Sequence, residues 1–243
     1  MPRKIYDTRL LSTESLSDQT KHLVFEVENE ERFDFVPGQF VSLLAPKDGK
    51  TITRAYSIAS APRSNQMDIC LNRVENGFFS NLLCDLTVDT RLQFHGPHGL
   101  FLLRKPLRDS LFVATGTGIA PFRAFVQWLA ADPANQQGRE IWLVYGTRYE
   151  KDIYYQREFE ELAQKNPKFH YLITISRPSE NWQGERGYVQ EHVKKIMLAR
   201  PPELRQDMDC YICGLNDMVS ANRKLLTEEF GWDKKQVIYE RYD

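Results

Sequence analysis

The run Ser110-Leu111-Phe112-Val113-Ala114 passes directly into Thr115-Gly116-Thr117-Gly118-Ile119-Ala120-Pro121, and a helical stretch over residues 121–131 follows. A buried strand that turns on glycines into a helix lets backbone come close to a phosphate-bearing ligand. Pro121 suits the first helical turn, where its missing N–H has no intrahelical partner to lose. The positive end of the helix then faces an anion. The stretch departs from the G-x-G-x-x-G fingerprint, because proline stands where the third glycine would be. Spacing alone therefore indicates a nucleotide without saying which.

The remainder of the second half keeps this strand–helix rhythm. Residues 141–145 read as a strand before a helix over 154–165, and 169–175 as a strand before a helix over 189–198. Residues 210–213 form another strand before a helical stretch up to Phe230, and 236–240 a last strand. Such alternation predicts a parallel sheet covered on both faces.

The first hundred residues differ. Short alternating runs at 22–27, 39–44 and 67–74 are separated by Pro37-Gly38, Lys47-Asp48-Gly49 and Pro62-Arg63-Ser64-Asn65. These are turn chemistry between closely spaced strands, the pattern of a small antiparallel β-barrel, with one helix expected over 80–86. The charged connector Arg104-Lys105-Pro106-Leu107-Arg108-Asp109 places the boundary. The expected fold class is thus two-domain, an antiparallel barrel over 1–104 followed by an α/β nucleotide-binding domain over 105–243.

With 32 basic and 33 acidic residues the net charge is -1, so no global field recruits nucleic acid. No apolar run reaches the roughly 18 residues a membrane span needs. The stretch Met1-Pro2-Arg3-Lys4-Ile5-Tyr6-Asp7 lacks the apolar core of a secretory signal. A cytoplasmic location and a monomer are expected. Cys210 and Cys213 make a C-x-x-C, but on a strand they face opposite sides, and the second ligand pair of a zinc site is missing. No metal is expected.

No carboxylate stands at the end of the strand after the glycine turn, where one would bind a ribose 2′-hydroxyl. The strand runs instead into Gly146-Thr147-Arg148. An arginine there can pair with a 2′-phosphate, which a carboxylate would repel. Arg177 after Ser176, and Arg186 beside Gly187-Tyr188, occupy further loop positions. Any one of them alone reads as a solvated charge. Three at one sheet edge favour NADPH.

Together with the glycine turn, Arg54-Ala55-Tyr56-Ser57-Ile58-Ala59-Ser60 resembles the flavin motif of the ferredoxin–NADP reductase family. Pro37-Gly38-Gln39-Phe40, the stretch from Gly77 to Cys84, Gly96-Pro97-His98-Gly99, Cys213-Gly214-Leu215-Asn216-Asp217-Met218 and Glu240-Arg241-Tyr242 follow in the family's order. The resemblance covers residues 37–242 and is nearest to the plastid-type branch. Two departures stand out: a short segment between Cys70 and Gly77, and Asp243 after the terminal tyrosine.

The resemblance implies a role for each matching residue. Arg54 pairs with the FAD pyrophosphate, Tyr56 packs on the isoalloxazine with Ala55 beside it, and Ser57 bonds near flavin N5. Cys70, Leu71 and Asn72 line the flavin, while Gly77, Phe78, Phe79 and Ser80 meet the pyrophosphate at a helix start. Thr117 contacts both nucleotides, and Gly118 and Pro121 approach the NADPH pyrophosphate. Arg148, Ser176, Arg177 and Arg186 hold the 2′-phosphate, and Tyr188 stacks on adenine. Cys213 and Glu240 flank the nicotinamide, with Gly214 and Leu215 beside them, and Tyr242 covers a flavin face until NADPH displaces it. Ser57, Cys213, Glu240 and Tyr242 are the expected catalytic set.

The implied activity is hydride exchange between NADP(H) and FAD, with single electrons passing to or from a ferredoxin or flavodoxin. One alternative is an NADH-dependent reductase component of an oxygenase system. Another is a nucleotide-binding electron-transfer subunit of a larger complex. His95 and His98 read as turn residues, since hydride transfer needs no histidine. Glu160 and Glu161 read as a solvated helix face.

Overall fold

The computed structural model describes residues 4–242, so Met1-Pro2-Arg3 and the terminal Asp243 lie outside the described residues. Two compact units result, one running to Leu103 and taking in Ala120–Trp128, the other comprising Arg104–Ile119 and the chain from Leu129 onward.

In the first unit the strands are β1 (Ile5–Ser15), β2 (Thr20–Val27), β3 (Phe40–Lys47), β4 (Lys50–Ser57), β5 (Gln66–Asn72) and β6 (Arg91–His98), with helix α1 at Phe78–Cys84. They form one antiparallel sheet in the order β4-β3-β6-β1-β2-β5. The two edges meet through the bridge Ile58↔Ile69, where Ala59 N–H donates to the Asp68 carbonyl at 2.8 Å, closing the expected barrel. Alternation builds it: in β2 and β3 every second side chain is buried over most of the strand. Leu10, Leu23, Phe25, Val41, Leu43 and Phe94 meet in its core. Asp48-Gly49 turns β3 into β4 with both residues left-handed, as a two-residue hairpin requires.

Sequence periodicity does not reveal β1, because the last four of its residues are exposed and carry no alternation. Helix α1 starts two residues ahead of the expected 80–86, at the Gly77 cap, and ends where Asp85 leaves helical geometry. His95 and His98 are not turn residues. They lie on β6 with Nδ1 of one 2.7 Å from Nε2 of the other, where the strand pairs with a bulge in β3.

The second unit contains β7 (Asp109–Thr115), α2 (Ile119–Ala131), α3 (Pro133–Gln136), β8 (Ile141–Thr147), α4 (Gln156–Lys165), β9 (Phe169–Ile175), β10 (Glu185–Arg186), α5 (Val189–Ala199), β11 (Met208–Gly214), α6 (Asn216–Lys224) and β12 (Val237–Arg241). Residues 120–128 of α2 count with the first unit. The sheet is wholly parallel, in the order β10-β9-β8-β7-β11-β12. Every residue of β11 is buried, as a strand covered on both faces must be. Helix α4 begins two residues later than the expected 154, because Tyr155 is left-handed. The stretch expected to run to Phe230 changes at Leu225 into a π-turn over Leu225–Glu229. The charged connector is tied to this unit by Arg104–Asp209 and Arg108–Asp207 ion pairs.

One buried carboxylate gathers two arginines in the first unit. Asp68 on β5 is 1% exposed and accepts from Arg63 and, at 2.9 Å, from Arg123 of α2, with His22 Nε2 3.5 Å away. Burial holds the His22 pKa below its ordinary value, so that ring contributes no third cation near neutrality. The Asp68→Ala substitution removes the carboxylate from Arg123, whose side chain is only 12% exposed. A stability loss of about 3–5 kcal/mol in urea unfolding is expected. A loss below about 1 kcal/mol, the size of a surface pair, would show that the cluster does not hold the unit.

Candidate functional site

A parallel sheet gathers the ends of its strands along one edge, and that is where open α/β sheets bind ligands. Registers Thr115↔Gly146, Thr147↔Ile175, Ala114↔Cys213 and Cys213↔Glu240 bring the carboxyl ends of β7, β8, β9, β11 and β12 level. The glycine turn follows β7, Arg148 follows β8, Ser176 and Arg177 follow β9, and Leu215 follows β11. Sequence spacing placed these residues at strand ends, and the parallel registers put the ends side by side.

After β7 the chain makes a 3-10 turn over Gly116–Gly118 and enters α2. The turn lies against the end of β11. A Cβ on Gly118 would sit 2.2 Å from the Cys213 carbonyl oxygen, and one on Gly214, whose φ is +151, would sit 2.2 Å from Thr115 Oγ1. The fully buried Tyr145 donates its hydroxyl to the Gly116 carbonyl at 3.1 Å and so braces the turn from below. Nothing in the sequence singles out Tyr145, which reads as one more apolar residue of a buried strand.

The first turn of α2 has no side-chain cap and no acidic residue, and a Cβ on Gly116 would meet nothing within 4 Å. Thr115 Oγ1 is buried there with no hydrogen-bond partner. Uncovered backbone donors at the positive end of a helix fit a pyrophosphate. Thr117 is half-buried beside them, and Pro121 is buried in the helix.

Cys213, Glu240 and Tyr242 come together at the β11–β12 end. Cys213 pairs in register with Glu240, Tyr242 N–H donates to the Gly214 carbonyl at 3.1 Å, and the Tyr242 hydroxyl is hydrogen-bonded to the Cys213 sulfur. Burial pushes the Cys213 thiol well above its usual range, outweighing the tyrosine's hydrogen bond, so it stays protonated and is no thiolate nucleophile. Burial also raises Glu240 to about 7. This carboxyl can therefore exist neutral or ionised near physiological pH.

Of the four residues expected at the 2′-phosphate, Arg148 and Arg177 are exposed and joined by backbone, with Arg177 N–H donating to the Arg148 carbonyl at 3.0 Å. Ser176 N–H likewise donates to the Thr147 carbonyl at 3.0 Å. Arg186 is differently employed. Its guanidinium donates to the carbonyls of Ser179, Glu180 and Trp182 at 3.2, 3.3 and 2.8 Å, shaping the loop before β10. Glu150 also belongs to this edge and was not singled out from sequence. Its carboxylate accepts from Ser179 N–H at 2.7 Å, and hydrogen bonds from its own backbone and from Ser179 hold its pKa low. Tyr188 projects with 62% of its surface exposed.

The barrel carries a second set. Arg54 and Ala55 are exposed on β4, Tyr56 is half-buried against Phe79 with ring centroids 6.4 Å apart, and Ser57 is buried. Burial pushes the Tyr56 phenol up to about 12, so it remains neutral. Across the closing bridge, Cys70 and Leu71 are buried on β5 and Asn72 is exposed, its side-chain oxygen accepting from Thr20 at 2.8 Å. Helix α1 opens at Gly77 with neither a side-chain cap nor an acidic residue in its first turn. Ser80 is turned inward, its Oγ accepting from Val74 N–H at 3.0 Å. Phe78 lies half-buried under Lys47 Nζ, 5.0 Å from its ring centroid. An exposed arginine, a flat aromatic and an uncapped helix start fit the phosphates and the ring system of an FAD.

Comparison with known proteins decides the family. Residues 7–102 match the model of an oxidoreductase FAD-binding domain, and residues 112–224 that of an oxidoreductase NAD-binding domain. The chain is 40% identical to ferredoxin–NADP reductase B of Sorangium cellulosum, over 98% of both chains. The chain belongs to the ferredoxin–NADP reductase family. It is an FAD-dependent oxidoreductase with a nicotinamide-nucleotide-binding domain. Members of this family also include parts of larger proteins. The electron transfer component of a 2-halobenzoate 1,2-dioxygenase from Burkholderia cepacia is 33% identical over 88% of this chain, which spans 60% of that protein's length. A ferredoxin NADP+ reductase from Neisseria gonorrhoeae, solved with FAD and NADP bound, shares the fold with a TM-score of 0.83 at 20% identity, over 99% of each chain. No helix among the described residues is long and apolar enough to cross a membrane.

Two outcomes follow for this edge of the reductase. Gly118→Ala forces the turn off β11. It is expected to lower stability by about 1–3 kcal/mol and to raise the KM for the nicotinamide nucleotide while FAD stays bound; an unchanged KM would show that the close contact is dispensable. Glu240 binds a proton more tightly in the folded than in the unfolded chain. Stability must therefore fall as pH rises from the ordinary carboxylate range, near 4.5, through about 7. The variant Glu240→Gln should lose less stability than the parent between those limits in urea titrations. Parallel curves would place the Glu240 pKa back in the ordinary range.

Proposed function

We propose that this reductase prefers NADPH to NADH and exchanges single electrons with a ferredoxin or flavodoxin, with residues 1–104 as its FAD domain and 105–243 as its NADP(H) domain. The observation that carries the preference is the joined pair Arg148 and Arg177, exposed at neighbouring strand ends. The near full-length likeness to a ferredoxin–NADP reductase supports the partner class.

Bound FAD supplies the redox chemistry, accepting a hydride and releasing electrons one at a time. The chain's own residues bind and align. Arg54 and the N–H groups opening α1 hold the FAD pyrophosphate, with Ser80 stiffening that loop from inside. Ala55, Tyr56, Cys70, Leu71 and Asn72 line the ring system, and Ser57 offers its hydroxyl near N5. The uncapped start of α2, with Thr117 and Gly118, holds the nucleotide pyrophosphate. Arg148, Ser176 and Arg177 take the 2′-phosphate, Arg186 keeps their loop in shape, and Tyr188 stacks on adenine. Cys213, Gly214, Leu215 and Glu240 border the nicotinamide. Tyr242, tethered through Cys213, occupies that place until the nucleotide arrives. Glu240 sets the charge beside the nicotinamide, and the neutral Cys213 adds none.

A second reading, an NADH-dependent reductase serving an oxygenase, draws on Glu150, whose carboxylate accepts from Ser179 N–H near Arg186 and would oppose a 2′-phosphate. Anaerobic mixing of the FAD-loaded protein with NADPH or NADH separates the two. Faster flavin bleaching at low NADPH is expected, and Arg148→Ala with Arg177→Ala should raise the NADPH KM by about tenfold or more while leaving NADH little changed. Equal or faster reduction by NADH would put the oxygenase reading first.

A further inference from the structure

Beneath the exposed segment Arg186-Gly187-Tyr188 lies a buried histidine that neither the hydride chemistry nor the pyrophosphate sites use. His192 of α5 is 1% exposed. Its Nε2 is 2.9 Å from Thr174 Oγ1 and 3.1 Å from the Arg186 carbonyl oxygen. The carbonyl can only accept, so Nε2 carries the proton. Thr174, 0% exposed at the end of β9, gives its own hydroxyl proton to the Gly187 carbonyl at 3.0 Å.

These contacts lock two consecutive peptide planes. The Arg186–Gly187 peptide has its carbonyl bonded to His192 and its N–H bonded to the Ile175 carbonyl at 3.0 Å. The Gly187–Tyr188 peptide has its carbonyl bonded to Thr174. Gly187 itself is left-handed, with φ +102, a conformation that leaves the segment dependent on these bonds for its direction. The other ring nitrogen, Nδ1, is buried with no hydrogen bond, and the nearest carboxylate oxygen, Glu185 Oε2, stays 3.5 Å off. A histidine kept only for packing would not leave one nitrogen bare, because an apolar side chain of similar size avoids that cost.

We propose that His192 and Thr174 are positioning residues for specificity: through the carbonyls of Arg186 and Gly187 they set the direction in which Tyr188 meets the 2′-phosphoadenosine end of NADPH and hold the loop that Arg186 shapes. The inference rests on the 2′-phosphate reading above. Neither residue touches the nucleotide. What they supply is preorganisation, which appears as affinity because the segment need not be ordered on binding.

The test uses the full-length, FAD-loaded protein and two probes, 2′,5′-ADP and 5′-AMP, with calorimetric affinities alongside steady-state kinetics. The parent should bind 2′,5′-ADP more tightly. His192→Leu should weaken 2′,5′-ADP binding by about tenfold, the scale of one lost buried hydrogen bond. The NADPH KM should rise in parallel while kcat stays within about twofold. His192→Gln, whose amide N–H can reach the same two acceptors, should restore most of the affinity. Thr174→Val should weaken binding in the same direction, and it decides the matter if the leucine variant fails to fold.

If the parent prefers 2′,5′-ADP but the leucine and valine variants bind it as the parent does, the inference is overturned. It is equally overturned if glutamine and leucine weaken binding alike, because packing and not the hydrogen bond would then be at work. A parent that binds both probes equally would instead sink the 2′-phosphate reading, and this inference with it.

Discussion

The close approach of Gly118 to the Cys213 carbonyl is the contact on which the nucleotide-binding edge depends. Two separate stretches of chain, the turn after β7 and the end of β11, share a space that admits no Cβ. Gly214 repeats the constraint from the other side, against Thr115. With both glycines in place, the uncapped start of α2 and the Cys213–Glu240 register pair lie at the ends of neighbouring strands. The groups proposed to bind phosphate and border the nicotinamide are then positioned by rigid elements, which hold geometry better than free loops can. Tyr145 adds the brace from the core.

Charge is handled differently in the two units. In the barrel, Asp68 is buried and paired with two arginines, a group whose loss leaves their charge without a counter-ion there. Along the sheet edge, Arg148 and Arg177 stay exposed while Arg186 spends its donors on loop carbonyls. Three arginines that look alike in the sequence are therefore in two states, two exposed at strand ends and one spent on the loop. Glu240 is a third case, a carboxyl that burial alone lifts towards neutrality.

Much of this was legible beforehand. The alternation in β2 and β3, the Asp48-Gly49 hairpin and the strand–turn–helix at Gly116 each follow from local physics, and the structure has them. Boundaries were less legible. β1 hides because its exposed end has no alternation, α1 starts at its Gly77 cap and not at Ser80, and the π-turn at Leu225 has no compositional mark. His95 and His98 read as turn residues because hydride transfer needs no histidine, yet their segment is held in β6 by pairing with β1 and β3.

What the sequence determined by itself was the order of elements, the two sheet types and the residue kinds at strand ends, because periodicity and turn chemistry act over a few neighbouring residues. What only the tertiary structure decided was which donors are free and which are spent. Ser80 faces inward, Glu150 holds the loop at Ser179, and His192 reaches the Arg186 carbonyl. Each of these depends on partners brought close by the fold, and a hydrogen bond lost or gained over an ångström leaves no trace in residue type.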